Sequence, residues 1–240
     1  MSCGKFYGVG LGPGDPGLVT RKAAEILCSV QVVYTAASRQ SSRSVSGAIL
    51  DALPGVTARR VELEFTMATD FPTRLARIRE HAERIAEELR SGKDCAFGTI
   101  GDPMTYSTCG YLLRALRGIL PDLRCEIVPG VNSWSALAAS SASPLVEDNG
   151  ILRVVPSYLP PDSPELAGML EREGAVVLLK TYRSRNAYLD RLSGESCEIL
   201  YGANIGLENE FISGDPEEIR ARPEEYLSML LVRKMEERKS

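Results

Sequence analysis

Hydrophobic and polar residues follow two rhythms along this chain, and the rhythms take turns. Apolar runs at residues 5–10, 30–34 and 94–97 have the length of strands, and residues 59–65 alternate with a strand's period of two. Helical spacing lies between them. Residues 20–29 carry Ala23, Ala24, Ile26 and Leu27 behind a Thr20 cap, and residues 45–53 stop at Pro54-Gly55. The strongest helical signal covers 71–91. There Phe71, Leu75, Ile78, Ala82, Ile85 and Leu89 share one face, and Arg and Glu fill most of the rest. Residues 106–117 read as a further helix and 124–128 as a further strand.

A second series follows Pro129-Gly130. Helices are predicted at 133–141, 164–173, 186–192 and 216–222, with strands at 152–156, 175–180, 198–201 and 226–232. Strand, helix and strand at the spacing of the first series predict βαβ units and a largely parallel sheet. Two α/β domains, 1–128 and 129–240, fit the pattern better than one continuous sheet. The Pro-rich stretch 156–164 reads as a loop, and the tail 234–240 is expected to fray.

Composition narrows the class. With 240 residues, 44% hydrophobic and 25% charged, the chain is ordinary globular material, and disorder is excluded. No apolar run is long enough to cross a bilayer, and the Gly-rich start does not read as a secretory signal, so a cytoplasmic protein is expected. A net charge of −4 argues against a general nucleic-acid footprint. The six cysteines form no C-x-x-C pair and read as reduced, mostly buried thiols, with no metal centre expected. The single histidine, His81, lies one position off the apolar stripe of its helix and reads as partly exposed and structural.

Three loops carry candidate chemistry. The first contains Gly12-x-Gly14-x-x-Gly17 after a strand, a formal match to a dinucleotide fingerprint. Pro13 removes a donor that a phosphate would need, and Asp15 places negative charge where a pyrophosphate would sit. No acidic residue closes the strand at 30–34 to hold a ribose. The plain reading is a tight turn; the density of Gly, Pro and Asp favours one wall of a ligand cleft. The second loop, Gly101-Asp102-Pro103-Met104-Thr105-Tyr106-Ser107-Thr108, follows a buried strand, where open α/β sheets bind ligands. Asp102 there can accept hydrogen bonds or complement a cation; alternatively Asp102 or Thr105 caps the next helix, worth about 1 kcal/mol. The third, Val128-Pro129-Gly130-Val131-Asn132-Ser133-Trp134, is weak alone.

Together, in this order and spacing, GLGPGDPGLVT, GDPMTYST and IVPGVNS resemble the tetrapyrrole methylase family. The likeness extends over nearly the whole chain. The strings GDPMTYST, VVYTAASRQSSRSVSGAIL, VVLLKTY and YGANIGLENEFIS are most similar to members that methylate meso carbon 20 of precorrin-2 or cobalt-factor II. The resemblance implies two α/β domains with a cofactor cleft between them, usually in a homodimer. It also implies S-adenosylmethionine as methyl donor and a tetrapyrrole as partner, with no nucleic acid or membrane.

Carried over residue by residue, the resemblance puts Ile100, Gly101 and Asp102 against the methionine and ribose of the cofactor. Thr105, Tyr106, Ser107 and Thr108 follow on the same wall, and Asn132 and Ser133 form a second strip. Leu179, Tyr201, Gly202 and Ala203 would line the adenine side. Pro13, Gly14 and Asp15 would face the macrocycle, with Tyr34 and Met67, and Asp15 is a candidate proton acceptor, water being an equal one. The carboxylates of the macrocycle call for cations, for which Arg39, Arg43, Arg153, Lys180, Arg183 and Arg185 are candidates. An axial-ligand role to cobalt is the weaker reading of His81. The alternatives are another methyltransferase of the same fold and a nicotinamide-dependent oxidoreductase built on the glycine string.

Overall fold

A computed structural model describes residues 3–37, 44–65, 70–156 and 159–234. It divides into two compact units, 1–132 and 133–240, each with its own five-stranded sheet.

The first unit alternates β1 (Phe6–Gly10), α1 (Arg21–Ser29), β2 (Val32–Ala36), α2 (Val45–Ala52), β3 (Arg59–Leu63), α3 (Phe71–Arg90), β4 (Cys95–Thr99), α4 (Cys109–Ile119) and β5 (Cys125–Val128). All pairings are parallel, in the order β3-β2-β4-β1-β5. Successive strand residues point to opposite faces, so Cys95 and Phe97 join Phe6 and Tyr34 under α3 and α4, while Ala96 joins Val9, Val33 and Val128 beside α1 and α2. Thr20 caps α1 by accepting the Ala23 N–H at 3.2 Å, as its sequence position predicts.

The long helix α3 departs from the single-stripe expectation. Ile78, Ala82, Ile85 and Leu89 are buried, but Phe71 is 52% and Leu75 41% exposed. Twenty helical residues span about 30 Å, whereas five-residue strands span only about 17 Å, so one end of the helix outruns the sheet. His81 is also corrected. It is buried, its Nε2 lies 2.9 Å from Glu64 O, and its ring meets Phe65 edge-on at 5.0 Å. Its Nδ1 is buried without a partner. Cys28 is exposed and Cys3, Cys125 and Cys197 are half-buried, so only Cys95 and Cys109 are fully sequestered; all six are free thiols.

The second unit contains α5 (Ser133–Ser140), β6 (Ile151–Pro156), α6 (Pro164–Leu170), β7 (Gly174–Leu179), α7 (Arg185–Leu192), β8 (Cys197–Ala203), β9 (Phe211–Ser213), α8 (Pro216–Ala221) and β10 (Ser228–Lys234). The strand order is β6-β7-β10-β8-β9, and only β6–β7 is parallel. The all-parallel pairing of the first unit is therefore not repeated here. β10 enters between β7 and β8 antiparallel to both, and β9 adds an antiparallel edge. Residues 175–178 and 229–232 are buried at every position, as strands covered on both faces must be. Lys234 belongs to β10, and the rest of the tail lies outside the described residues.

Candidate active site

Three motif loops leave the carboxyl ends of β1, β4 and β5, neighbours at the middle and edge of the first sheet. Backbone contact draws the loops together. Leu11 N donates to Thr99 O at 2.9 Å and Gly101 N to Gly12 O at 2.7 Å, a short antiparallel bridge beyond the parallel strands. Gly12 and Gly101 are both left-handed, with φ of 74° and 70°. A Cβ on Gly10 would sit 2.5 Å from the Gly130 Cα, and one on Gly130 would strike Gly101 O. Glycine at both positions therefore permits the close approach. The sequence motifs showed these glycines but not that they meet.

Asp102 locks the arrangement. Its Oδ1 accepts from Met104 N at 2.9 Å and Thr105 Oγ1 at 3.2 Å, and its Oδ2 accepts from Gly130 N at 3.2 Å. It does not cap α4. That helix starts at Cys109 rather than 106, and Ser107 Oγ accepts the Cys109 N–H at 3.2 Å while also reaching Thr99 Oγ1 at 3.3 Å. Met104, Thr105 and Tyr106 are exposed, Ile100, Gly101, Ser107 and Thr108 half-buried, and Tyr106 takes a left-handed φ of 50°. A Cβ on Gly101 would meet no atom within 4 Å, so that stretch of backbone borders open space. Beneath the loop, burial and then the nearby Asp102 charge push the Cys109 thiol up to about 12.

The GPGD loop is mostly inaccessible. Pro13 and Gly14 are buried; Asp15 is exposed and caps a 3₁₀ turn at Pro16–Leu18, accepting from Gly17 N at 2.7 Å. This turn separates the glycines from α1, so that helix does not open directly on them as it does in a dinucleotide site. Tyr34 is corrected: it is 2% exposed inside the core, and burial pushes its phenol up to about 12, so its ring faces protein. Met67, Arg39 and Arg43 lie outside the described residues.

In the second unit, β10 brings Leu179 and Gly202 into one row, since both pair with Met229. Half-buried Ser133 opens α5, whose Leu137 covers that face; a Cβ on Gly202 would meet Leu137 Cδ1 at 2.8 Å and Ile205 Cδ1 at 3.0 Å. Tyr201 and Ala203, one position either side, point the opposite way into the core with Leu178 and Leu230. Tyr201 is fully buried, with its hydroxyl unpartnered, so its side chain is not on the Leu179 face. Ile205, which sequence reasoning missed, covers Gly202 together with Leu137. Half-buried Asn132 is the last residue of the first unit.

The candidate cations differ sharply. Arg185 is 5% exposed and donates to the carbonyls of Pro223 at 3.0 Å and Arg222 at 2.8 Å, so it is a structural clamp rather than a rim group. Arg153 donates to the Ile151 and Glu173 carbonyls. Arg183 is exposed and stacks on Tyr182. Lys180 follows β7 with a left-handed φ of 59°, and surrounding protein pushes its amine below the usual lysine value, opposed by Tyr182. No cluster of metal-ligating side chains occurs among the described residues.

Comparison with known proteins gives a consistent result. A family profile described as Tetrapyrrole (Corrin/Porphyrin) Methylases matches residues 5–218. A cobalt-precorrin-2 C(20)-methyltransferase of Salmonella typhimurium is 34% identical over 179 residues, covering 75% of this chain and 73% of that one. A precorrin-2 C(20)-methyltransferase of a Sinorhizobium species is 28% identical over 193 residues, covering 77% and 76%. Among solved structures, a putative cobalamin synthesis related protein from Corynebacterium diphtheriae has a TM-score of 0.78 at 18% identity, covering 98% of this chain and 100% of that one.

Proposed function

This chain belongs to the tetrapyrrole (corrin/porphyrin) methylase family, and from that premise we infer that it transfers one methyl group from S-adenosylmethionine to meso carbon 20 of a precorrin-2-type macrocycle in cobalamin biosynthesis. The cobalt-bearing substrate is the first choice, because the relative named for it is 34% identical against 28% for the one named for the metal-free form. The observation that carries the reading is the joining of the three motif loops through Gly10, Gly101, Asp102 and Gly130.

The residues suit such a cofactor. Open space beside Gly101, flanked by Asp102, Thr105 and Ser107, offers hydroxyl and carboxylate partners for a ribose and an amino acid. Leu179 and Met229, paired across β7 and β10 and both buried, are the proposed apolar neighbours of a purine. S-adenosylmethionine, when bound, supplies a sulfonium-activated methyl group. The protein then has to align donor and carbon, an effect worth up to about 7–11 kcal/mol, and needs little acid–base chemistry before attack. The proton on carbon 20 must leave afterwards; exposed Asp15 is the proposed acceptor, with water the alternative. Residues 1–128 supply the macrocycle-facing and GDP loops and 129–240 the adenine side. Lys180 and Arg183, with Arg39 and Arg43, are the proposed partners of the macrocycle carboxylates.

The family resemblance supports a homodimer. A cytoplasmic location is also proposed; among the described residues no helix is long and apolar enough to cross a membrane. The test is anaerobic incubation with S-adenosylmethionine and, in parallel, cobalt-factor II and metal-free precorrin-2, read by mass. Gain of one methyl on the cobalt substrate is expected, and no methyl on either overturns the reading.

A further inference from the structure

The turn that ends β8 is held by a charged anchor. Asn204 follows the strand with a left-handed φ of 52°, and Gly206 follows with 80°. Between them, Ile205 folds back over Gly202 on the face that carries Leu179 and Met229. Two bonds fix this turn to the segment entering β10. Asn204 N donates to Leu227 O at 2.8 Å, and Asn204 Nδ2 donates to Glu225 Oε1 at 3.0 Å.

Glu225 is itself held on both oxygens. Arg222 Nη2 donates to Oε1 at 2.6 Å and Arg222 Nε to Oε2 at 3.3 Å, and the Glu225 side chain is only 11% exposed. The Arg222 guanidinium lies 4.6 Å from the Phe211 ring centroid, and Arg185 fixes the Arg222 and Pro223 carbonyls. A left-handed backbone is unfavourable for a non-glycine residue unless local bonds offset it. Asn is suited to that backbone, and here its amide is spent on Glu225.

We propose that Glu225, aligned by Arg222, is a positioning residue for the cofactor: through Asn204 it sets the turn that places Ile205 over Gly202 beside Leu179 and Met229. Neither Glu225 nor Arg222 touches the reacting atoms. This deepens the methyltransferase reading and rests on it, because the Leu179–Met229–Gly202 row matters only if the purine lies against it. The expected signature is weaker cofactor binding with the chemical step preserved.

The probe is S-adenosylhomocysteine, titrated calorimetrically into the full-length protein, with steady-state methyl transfer to cobalt-factor II alongside. Glu225→Gln keeps an acceptor for Asn204 but loses the ion pair; Asn204→Gly keeps the left-handed turn but loses the anchor, and serves if the first variant does not fold. Each should weaken S-adenosylhomocysteine binding and raise the KM for S-adenosylmethionine about tenfold, the size of one charge-assisted hydrogen bond, with kcat at saturation within about twofold. The exchange Asn204→Asp with Glu225→Gln, which restores one carboxylate and one amide, should recover part of the loss. Unchanged affinity in both folded single variants overturns the proposal, as does an equal fall in kcat with no change in KM. Wild-type protein that binds no S-adenosylhomocysteine instead overturns the methyltransferase reading itself.

Discussion

Asp102 Oδ2 accepts the Gly130 N–H at 3.2 Å, and this single bond ties together two loops separated by 28 residues of chain. The same carboxylate accepts from Met104 and Thr105, so both of its oxygens are used within the loop pair. An amide cannot replace it: Asn would turn either an N–H donor toward Gly130 or one toward Met104. Asp102→Asn should therefore cost about 1–3 kcal/mol of stability and weaken S-adenosylhomocysteine binding at least about tenfold. Chemical denaturation and calorimetry check the two effects.

The glycines make a graded series. Gly130→Ala drives a Cβ into Gly101 O, and Gly10→Ala drives one against Gly130. Each should cost about 3 kcal/mol or more, the upper end of single-site effects, or part the loops and abolish methyl transfer. Gly101→Ala meets no atom within 4 Å and should cost only about 1–2 kcal/mol, for its left-handed φ. Gly110, inside α4 with nothing near its Cβ position, is the control: Gly110→Ala should stabilise by about 0.5–1 kcal/mol. Thermal midpoints of the four variants rank them.

Asp15 can be tested without disturbing its turn. Its Oδ1 accepts from Gly17 N, and an Asn Oδ1 can do the same. Asp15→Asn should therefore leave the fold and cofactor affinity intact while turnover falls by about 10²-fold, the lower end for a lost proton acceptor. Turnover close to wild type would hand that role to water.

Alkaline pH should weaken the first unit. Burial raises the Cys95 and Cys109 thiols from 9.0 to about 12 and the Tyr34 phenol from 10.0 to about 12. Groups raised by folding contribute stability that is complete below their unfolded values, here 9.0 and 10.0, and is lost as pH rises toward about 12. Denaturation midpoints should fall steadily above pH 9, and Cys109→Ala should make that fall shallower. A midpoint that stays level to pH 11 would contradict the buried placement of these groups.

Much of this architecture was legible from local signals. The Thr20 cap, the loop order and every predicted helix and strand correspond to an observed element, because caps, glycines and periodicity act within a few residues. What the sequence hid depends on distant partners. Nothing local says that β10 inserts between β7 and β8, antiparallel to both. Three-residue β9 is too short to carry a period. The resemblance puts Tyr201, Gly202 and Ala203 in one lining, but adjacent strand residues face opposite ways, and only the pairing shows which face each takes. Nothing in the sequence around Arg185 shows the Pro223 and Arg222 carbonyls that bury it, because they lie more than thirty residues away. His81 lies one step from the apolar stripe, and the Glu64 carbonyl and the Phe65 ring give it buried partners that helical spacing does not show.

The central claim is methyl transfer to one carbon, and isotope labelling tests it most directly. The protein would be incubated anaerobically with cobalt-factor II and S-adenosylmethionine bearing a ¹³C methyl group, and the product read by carbon NMR. One labelled methyl on meso carbon 20 is the expected result. Label on any other ring position, or none at all from protein that binds S-adenosylhomocysteine, would contradict the account and assign this fold to a different acceptor.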